Sequence, residues 1–148
     1  MMRLLNKAGF TLIELLLSIA IIGILVGLSM PVYYSFQSRN DLDISVQGVA
    51  SSLRRAQTYA RSSNGDSALS VEIQSSAATL FKGTNFAGRT TTFDEVTSIP
   101  SGVTVSGITE VQFAKLTGLP NTSGTITLTS STNGTRTITV NAKGVIDY

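Results

Sequence analysis

The sequence predicts an α+β fold in which one long amino-terminal helix packs on an antiparallel β-sheet of short strands. Three patterns carry this expectation. An uncharged, mostly apolar run of 24 residues extends from Leu15 to Ser38. Apolar residues then recur at Leu42, Val46, Val49, Leu53, Ala56 and Ala60, with spacings of 4, 3, 4, 3 and 4, which is one face of an α-helix. From Ser67 onward the period changes to two, as in half-buried strands. At 148 residues the chain has room for one small domain and an appended segment.

Composition narrows the function classes. With 42% hydrophobic residues, 14% charged residues and a mean hydropathy of +0.24, the chain is no disordered polyelectrolyte. His and Cys are both absent, which removes the common zinc, haem and thiol sites and the Ser-His-Asp machinery. No cofactor, metal site or disulfide is expected. Ser and Thr number 19 each and lie mostly after residue 40, a composition that suits the solvated faces of strands. Arg3 and Lys7 supply the net charge of +2, and the rest of the chain is balanced. Bulk charge therefore points to no polyanionic partner.

The apolar run comes first. As a helix its 24 residues reach about 36 Å, enough to cross a bilayer core. Arg3 and Lys7 favour a cytoplasmic amino terminus, and Tyr33, Tyr34 and Phe36 stand where an interfacial aromatic belt is expected. The remainder would lie outside the cytoplasm. An ordinary secretory signal fits poorly, because its apolar core is about 7–15 residues long. A plain anchor explains the length but not Glu14, since a charge inside the bilayer costs about 2.5–3.5 kcal/mol even on lenient scales. No cation lies at helical spacing on its carboxyl side, so the nearest available partner is an amine made by cutting the chain just upstream. Gly23 and Gly27 form a small-xxx-small pattern that either allows close helix approach or reflects the ordinary use of Gly in membrane helices. Pro31 removes a backbone donor and predicts a kink.

The stripe from Leu42 to Ala60 predicts an amphipathic helix over 41–62, ending near Ser62-Ser63-Asn64-Gly65. Asn40 or Asp41 caps it, or the helix continues from the apolar run. Arg54, Arg55 and Arg61 lie off the stripe, on a solvated face or in contact with neighbouring subunits. The sheet spans 67–148. Strands are expected at Leu69–Ile73 and Ala78–Lys82, with Ser75-Ser76 turning between them. Residues 83–98 read as a loop with one strand around Thr91–Phe93. Further strands follow the Ile99-Pro100-Ser101-Gly102 turn and at Val111–Phe113, with a break at Gly118–Asn121. The clearest hairpin joins Thr125–Thr129 to Arg136–Val140 around Asn133-Gly134. A two-residue turn would split the apolar residues between faces. A three-residue loop, Thr132 to Gly134, places Leu128 opposite Ile138 and Ile126 opposite Val140, and is preferred. Gly144 to Tyr148 forms a last strand.

The segment Gly9-Phe10-Thr11-Leu12-Ile13-Glu14 ahead of a long apolar run resembles the class III signal of type IV pilins and type II secretion pseudopilins. The resemblance implies a pilin-like "lollipop" with a leader at 1–9, a transmembrane and filament-core helix at 10–38, and a soluble domain at 39–148. It implies cleavage by prepilin peptidase between Gly9 and Phe10, methylation of Phe10, and Glu14 as the fifth mature residue, meeting the amino terminus of a neighbouring subunit during assembly. Gly23 to Pro31 matches the stretch that can unwind in such filaments. The implied partners are the peptidase, other pilin or pseudopilin subunits, an inner-membrane assembly platform and the lipid bilayer. The implied location is the bacterial inner membrane, single-pass, with the carboxyl-terminal domain periplasmic, and then the filament. Ala50–Arg61, the Ile-Pro-Ser-Gly-Val element and Val140–Ile146 are similar to the GspH/FimT type of minor pseudopilin.

A structural filament subunit is therefore the expected function. FimT-like relatives that bind DNA give the alternative, but the carboxyl-terminal region offers only Arg136 and Lys143 to displace phosphate counterions, so nucleic acid is an unlikely partner. No enzyme is expected. Asp94 and Glu95 are adjacent and would face opposite sides of a strand, and Lys82, Lys115 and Lys143 lack the context of a Ser-Lys pair.

Overall fold

A single helix, α1, runs from Leu12 to Arg61 over 50 residues in the computed structural model, which describes residues 9–62, 67–132 and 134–148. Residues 1–8 of the leader expected at 1–9, together with Ser63-Asn64-Gly65-Asp66 and Asn133, lie outside the described residues. The chain divides into two units, Met1–Phe36 and Gln37–Tyr148. In the first unit, apolar side chains dominate and the helix closes its own backbone hydrogen bonds, which is what an apolar surrounding demands. Pro31 lies inside the helix, and the stretch from Gly23 to Pro31 is α-helical throughout. Of the two readings at Asn40-Asp41, cap or continuation, the structure takes continuation.

In the second unit the helical stripe is the core. Leu42, Val46, Val49, Leu53, Ala56 and Ala60 are all buried, as their spacing predicts, joined by Ala50. They face two four-stranded antiparallel sheets rather than the single sheet expected. The strands are β1 (Leu69–Ile73), β2 (Ala77–Lys82), β3 (Glu95–Ser98), β4 (Val103–Gly107), β5 (Glu110–Phe113), β6 (Gly124–Ser130), β7 (Thr135–Val140) and β8 (Ile146–Asp147). One sheet has the order β3-β2-β1-β5 and the other β4-β6-β7-β8. The chain crosses between the sheets three times, and the crossing from β4 to β5 begins at Gly107. Its φ of +101° is open to glycine, and a Cβ there would collide with the Thr125 carbonyl oxygen. The Ile108 N–H then reaches that same oxygen, and the Ile73 N–H bonds to the Thr109 carbonyl in the other sheet.

Three local expectations are corrected. Thr91–Phe93 is a 3₁₀ turn, and the strand of this region is β3, four residues further on, with an exposed Val96 that breaks any alternation legible in sequence. The β6–β7 register places Ile126 opposite Ile138 and Leu128 opposite Arg136, and the Ser130 N–H bonds to the Gly134 carbonyl at 2.8 Å, so the turn is centred one residue earlier than a Thr132–Gly134 loop would put it. The shift is two residues, one full side-chain period, so Ile126, Leu128, Ile138 and Val140 still share one buried face. The last strand is only Ile146–Asp147.

The arginines are not a bare solvated face. Arg55 pairs with Glu95 on β3, while Arg54 donates to the Ile146 carbonyl of β8 at 3.1 Å and stacks over Tyr148. The Tyr59 hydroxyl and then the Glu95 carboxylate hold the Arg55 guanidinium above its ordinary pKa. β3 and β8 are edge strands of different sheets, so two consecutive helix residues each fasten one sheet edge. Gln57 donates to the Gly118 and Gly144 carbonyls at 3.1 and 2.7 Å. Close approach of helix and sheet is set by Gly48, where a Cβ would stand 2.8 Å from the Thr97 methyl, and by the Ser52–Thr97 hydroxyl bond of 3.0 Å. On the far face of the first sheet, Phe81 packs edge-on against Phe86 with centroids 5.4 Å apart, beneath an Arg89–Asp94 ion pair of 2.8 Å.

Residues 37–148 made alone should unfold in one cooperative thermal transition. Leu53→Asp should abolish it by burying an unpaired charge, and Gly107→Ala should lower the melting temperature markedly. An unchanged melting temperature for Leu53→Asp would show that the helix does not pack on the sheets in this way.

Candidate functional site

The first residues described set up the amino-terminal site. Gly9 and Phe10 precede the helix, and Phe10 is 82% exposed. Thr11 is the capping residue: its Oγ1 accepts the Glu14 N–H at 3.3 Å, and its carbonyl accepts the Leu15 N–H at 3.2 Å. Thr11-Leu12-Ile13-Glu14 is thus a capping-box sequence, in which a Ser or Thr closes the first turn and an acid stands three residues on. Glu14 falls in the first helical turn, where unpaired backbone N–H groups favour negative charge. No cation lies within ion-pair distance of Glu14 among the described residues. The Ser18 hydroxyl donates to the Glu14 carbonyl at 2.7 Å, adding a second local tie to this turn. The role of Thr11 escapes a reading focused on the charge of Glu14, although its signal, a Thr three residues before a Glu, stands in the sequence.

Behind this turn the helix is apolar on every side. Each large apolar residue from Phe10 to Phe36 is at least 49% exposed, and the most apolar 18-residue window has a mean hydropathy of 2.5. A helix of this character is not a solvated surface helix. By length and composition it can cross a membrane. Gly23 and Gly27, one turn apart, have no neighbouring atom within 4 Å of where a Cβ would stand, so both are open to approach by another helix. Cleavage at Gly9, an assembly contact at Glu14 and unwinding at Pro31 need partners, and none of these events is visible in an isolated chain.

In the second unit several charged residues take structural partners. Arg136 pairs with Asp43 on α1 at 3.2 Å, Asp94 with Arg89, and Glu95 with Arg55. Lys82 lies over the Phe93 ring at 5.0 Å. No group of three or more acidic residues is placed to hold a metal ion among the described residues. Glu72 and Glu110 stand directly opposite each other on β1 and β5. Burial, and then the facing Glu110 carboxylate, raise the Glu72 pKa.

Residues 4–30 match the family described as a prokaryotic N-terminal methylation motif. The match covers Lys7, the Gly9-Phe10 junction, Glu14 and the apolar run through Met30. No curated protein and no solved structure matches the chain significantly. The chain is thus type IV pilin-like in its amino-terminal motif, ahead of an α+β fold consistent with the pilin-like form.

The Glu72–Glu110 pair gives a pH prediction. A carboxyl whose pKa is raised by folding destabilises the fold when ionised, and protonation relieves it. Stability should therefore rise as pH falls from 7 through the folded pKa of Glu72 toward the unfolded value of about 4.3. Glu72→Gln should raise the melting temperature at pH 7 and flatten its pH dependence in that window, measured by thermal melts from pH 4.5 to 8.

Proposed function

We propose that this chain is a structural subunit, a minor pseudopilin or minor pilin of the GspH/FimT type, of a type II secretion pseudopilus or a type IV pilus. One observation carries the reading: Gly9 and Phe10 lie outside the helix, directly ahead of a capped turn holding Glu14 and an apolar helix that nothing covers. Non-helical backbone is what a protease cleft accepts, and Gly9 brings no side chain to obstruct it. Prepilin peptidase cuts between Gly9 and Phe10 and methylates the freed Phe10 amine. That amine, with a reference pKa of about 7.7–8.0, can carry positive charge.

The apolar helix holds the subunit in the inner membrane, with residues 37–148 outside the cytoplasm. On extraction into a filament, the Glu14 carboxylate meets the Phe10 ammonium of a neighbouring subunit. In low dielectric a mis-registered helix leaves both charges unpaired, so the pair fixes axial register more than it adds stability. Gly23 and Gly27 let neighbouring helices approach, and Pro31 marks where the helix can open. The subunit performs no reaction of its own. The DNA-binding alternative loses support from the fold, because Arg136 and Arg55 are ion-paired and Arg54 is bonded to β8.

Two experiments test the reading. In cells with the cognate peptidase, intact-mass analysis should show a mature chain that begins at Phe10 and carries one added methyl, and Gly9→Val should leave precursor in the membrane. A mature chain starting elsewhere would overturn the assignment. Glu14→Ala should still be cut and should sit in the membrane at least as stably, because it loses the charge penalty. It should be depleted from sheared filaments or from crosslinks to other pilin-like subunits. Loss of cleavage in Glu14→Ala would instead place Glu14 in peptidase recognition.

A further inference from the structure

Strand β4 is the outermost strand of its sheet, and only its β6 side is paired. The Gly102 carbonyl accepts the Ser131 N–H at 2.9 Å, and the Ile108 N–H reaches the Thr125 carbonyl at 3.3 Å. Both contacts continue the β4–β6 register, in which Thr104 opposes Thr129 and Ser106 opposes Thr127. Backbone direction alternates along an antiparallel strand, so Thr104 and Ser106 also turn their N–H and C=O toward β6. Val105 and Gly107 turn theirs away from it. No hydrogen bond meets those outward groups among the described residues.

The other sheet edges are protected. Strand β8 is two residues long. Strand β3 has four and carries Glu95, which pairs with Arg55. Strand β5 carries Glu110, and residues 120–121 lie along its outer side, where Phe113 bridges to Pro120 and the Asn121 N–H reaches the Gln112 carbonyl at 2.9 Å. Short length, charge and cover are the usual means of keeping an edge from pairing. Strand β4 has five residues and none of these, since Val-Thr-Val-Ser-Gly contains no charge and no Pro. Thr104, Ser106 and Gly107 are exposed, and Val105, which packs against the core, is only partly covered.

We infer that the β4 edge pairs with the same edge of a second copy of this chain. Antiparallel pairing about a two-fold axis at Val105 makes the contact self-complementary. Each Val105 then exchanges both backbone bonds with the partner's Val105, and each Gly107 N–H reaches the partner's Val103 carbonyl. The same register keeps the faces matched. Thr104 stands opposite Ser106 of the partner subunit on the outer face, and the two half-covered Val105 side chains cover each other on the inner face. A partner strand must match β4 in length and parity and bring no charge, and β4 itself meets all three needs. The two four-stranded sheets become one of eight strands. One strand pair is a small contact, so association depends on concentration. The inference does not depend on processing or on filament assembly.

The test uses the full chain, which has no cysteine, in detergent micelles. Thr104→Cys combined with Ser106→Cys sets thiols directly opposite one another across the axis, whereas either substitution alone leaves them on the longer diagonal. Under mild oxidation the double variant should form disulfide-linked dimer about tenfold faster than either single variant. Charge tests the same register without a crosslink. Thr104→Lys combined with Ser106→Lys sets like charges opposite and should weaken association about tenfold in sedimentation. Thr104→Lys combined with Ser106→Glu sets opposite charges there and should restore it. Both positions are exposed, so the melting temperatures of these variants should stay close to that of the wild type. Equal linking by the double and single cysteine variants, or equal association of the two charge variants, would overturn the inference and assign the dimer to the apolar helix. A wild-type chain that stays monomeric at every concentration reached would overturn it as well.

Discussion

The folded domain depends on one narrow contact, the stripe of α1 from Leu42 to Ala60 lying in the angle between two sheets. Neither sheet is viable alone. Each has four short strands and one apolar face, and each needs the helix to cover it. The stripe meets that need with large residues at Leu42, Val46, Val49 and Leu53, and with small ones at Ala50, Ala56 and Ala60. Gly48 and Ser52 let Thr97 come close on one side of the stripe. Arg54 and Arg55 then fasten the outermost strand of each sheet to the same helix. The helix is a spine for this unit because its neighbours in sequence point at different sheets.

Much of this was legible in the residues, and what was not has a physical reason. Helical periodicity reports which side of a helix is apolar, and so the buried stripe could be read residue by residue. It says nothing about what a charged residue touches, and so Arg54 and Arg55 read as a solvated face. Alternation likewise marked β1, β4 and β5, whereas β3 carries an exposed Val96 and an inward Thr97, the reverse of the usual pattern. Strand β3 exists because β2 and Arg55 hold it, which is tertiary information. The β6–β7 register failed by one full side-chain period, an error that hydrophobic pattern cannot detect because it leaves every face unchanged.

At the amino terminus the balance is different. The apolar span and the isolated carboxylate are compositional facts, and they point to a processed membrane subunit before any fold is considered. The structure adds the cap. Thr11 closes the first turn, so the helix begins at Leu12 and holds Glu14 in that turn. One hydroxyl thus closes the first turn between the Gly9-Phe10 junction, which lies outside the helix, and Glu14, which lies within it.

The bond from Arg54 to the Ile146 carbonyl joins residues 92 positions apart, and with it the short β8 reaches the helix. Local contacts in α1 form early and fast, but the second sheet cannot settle on the stripe until β7 and β8 have arrived. Closing such a long loop is slow. A chain built this way stays open while most of its length is synthesised, and it takes its rigid shape only once its last strand has been made. Folding order, set by the distance in sequence between a helix and the strand it fastens, makes the whole domain wait for its final residues.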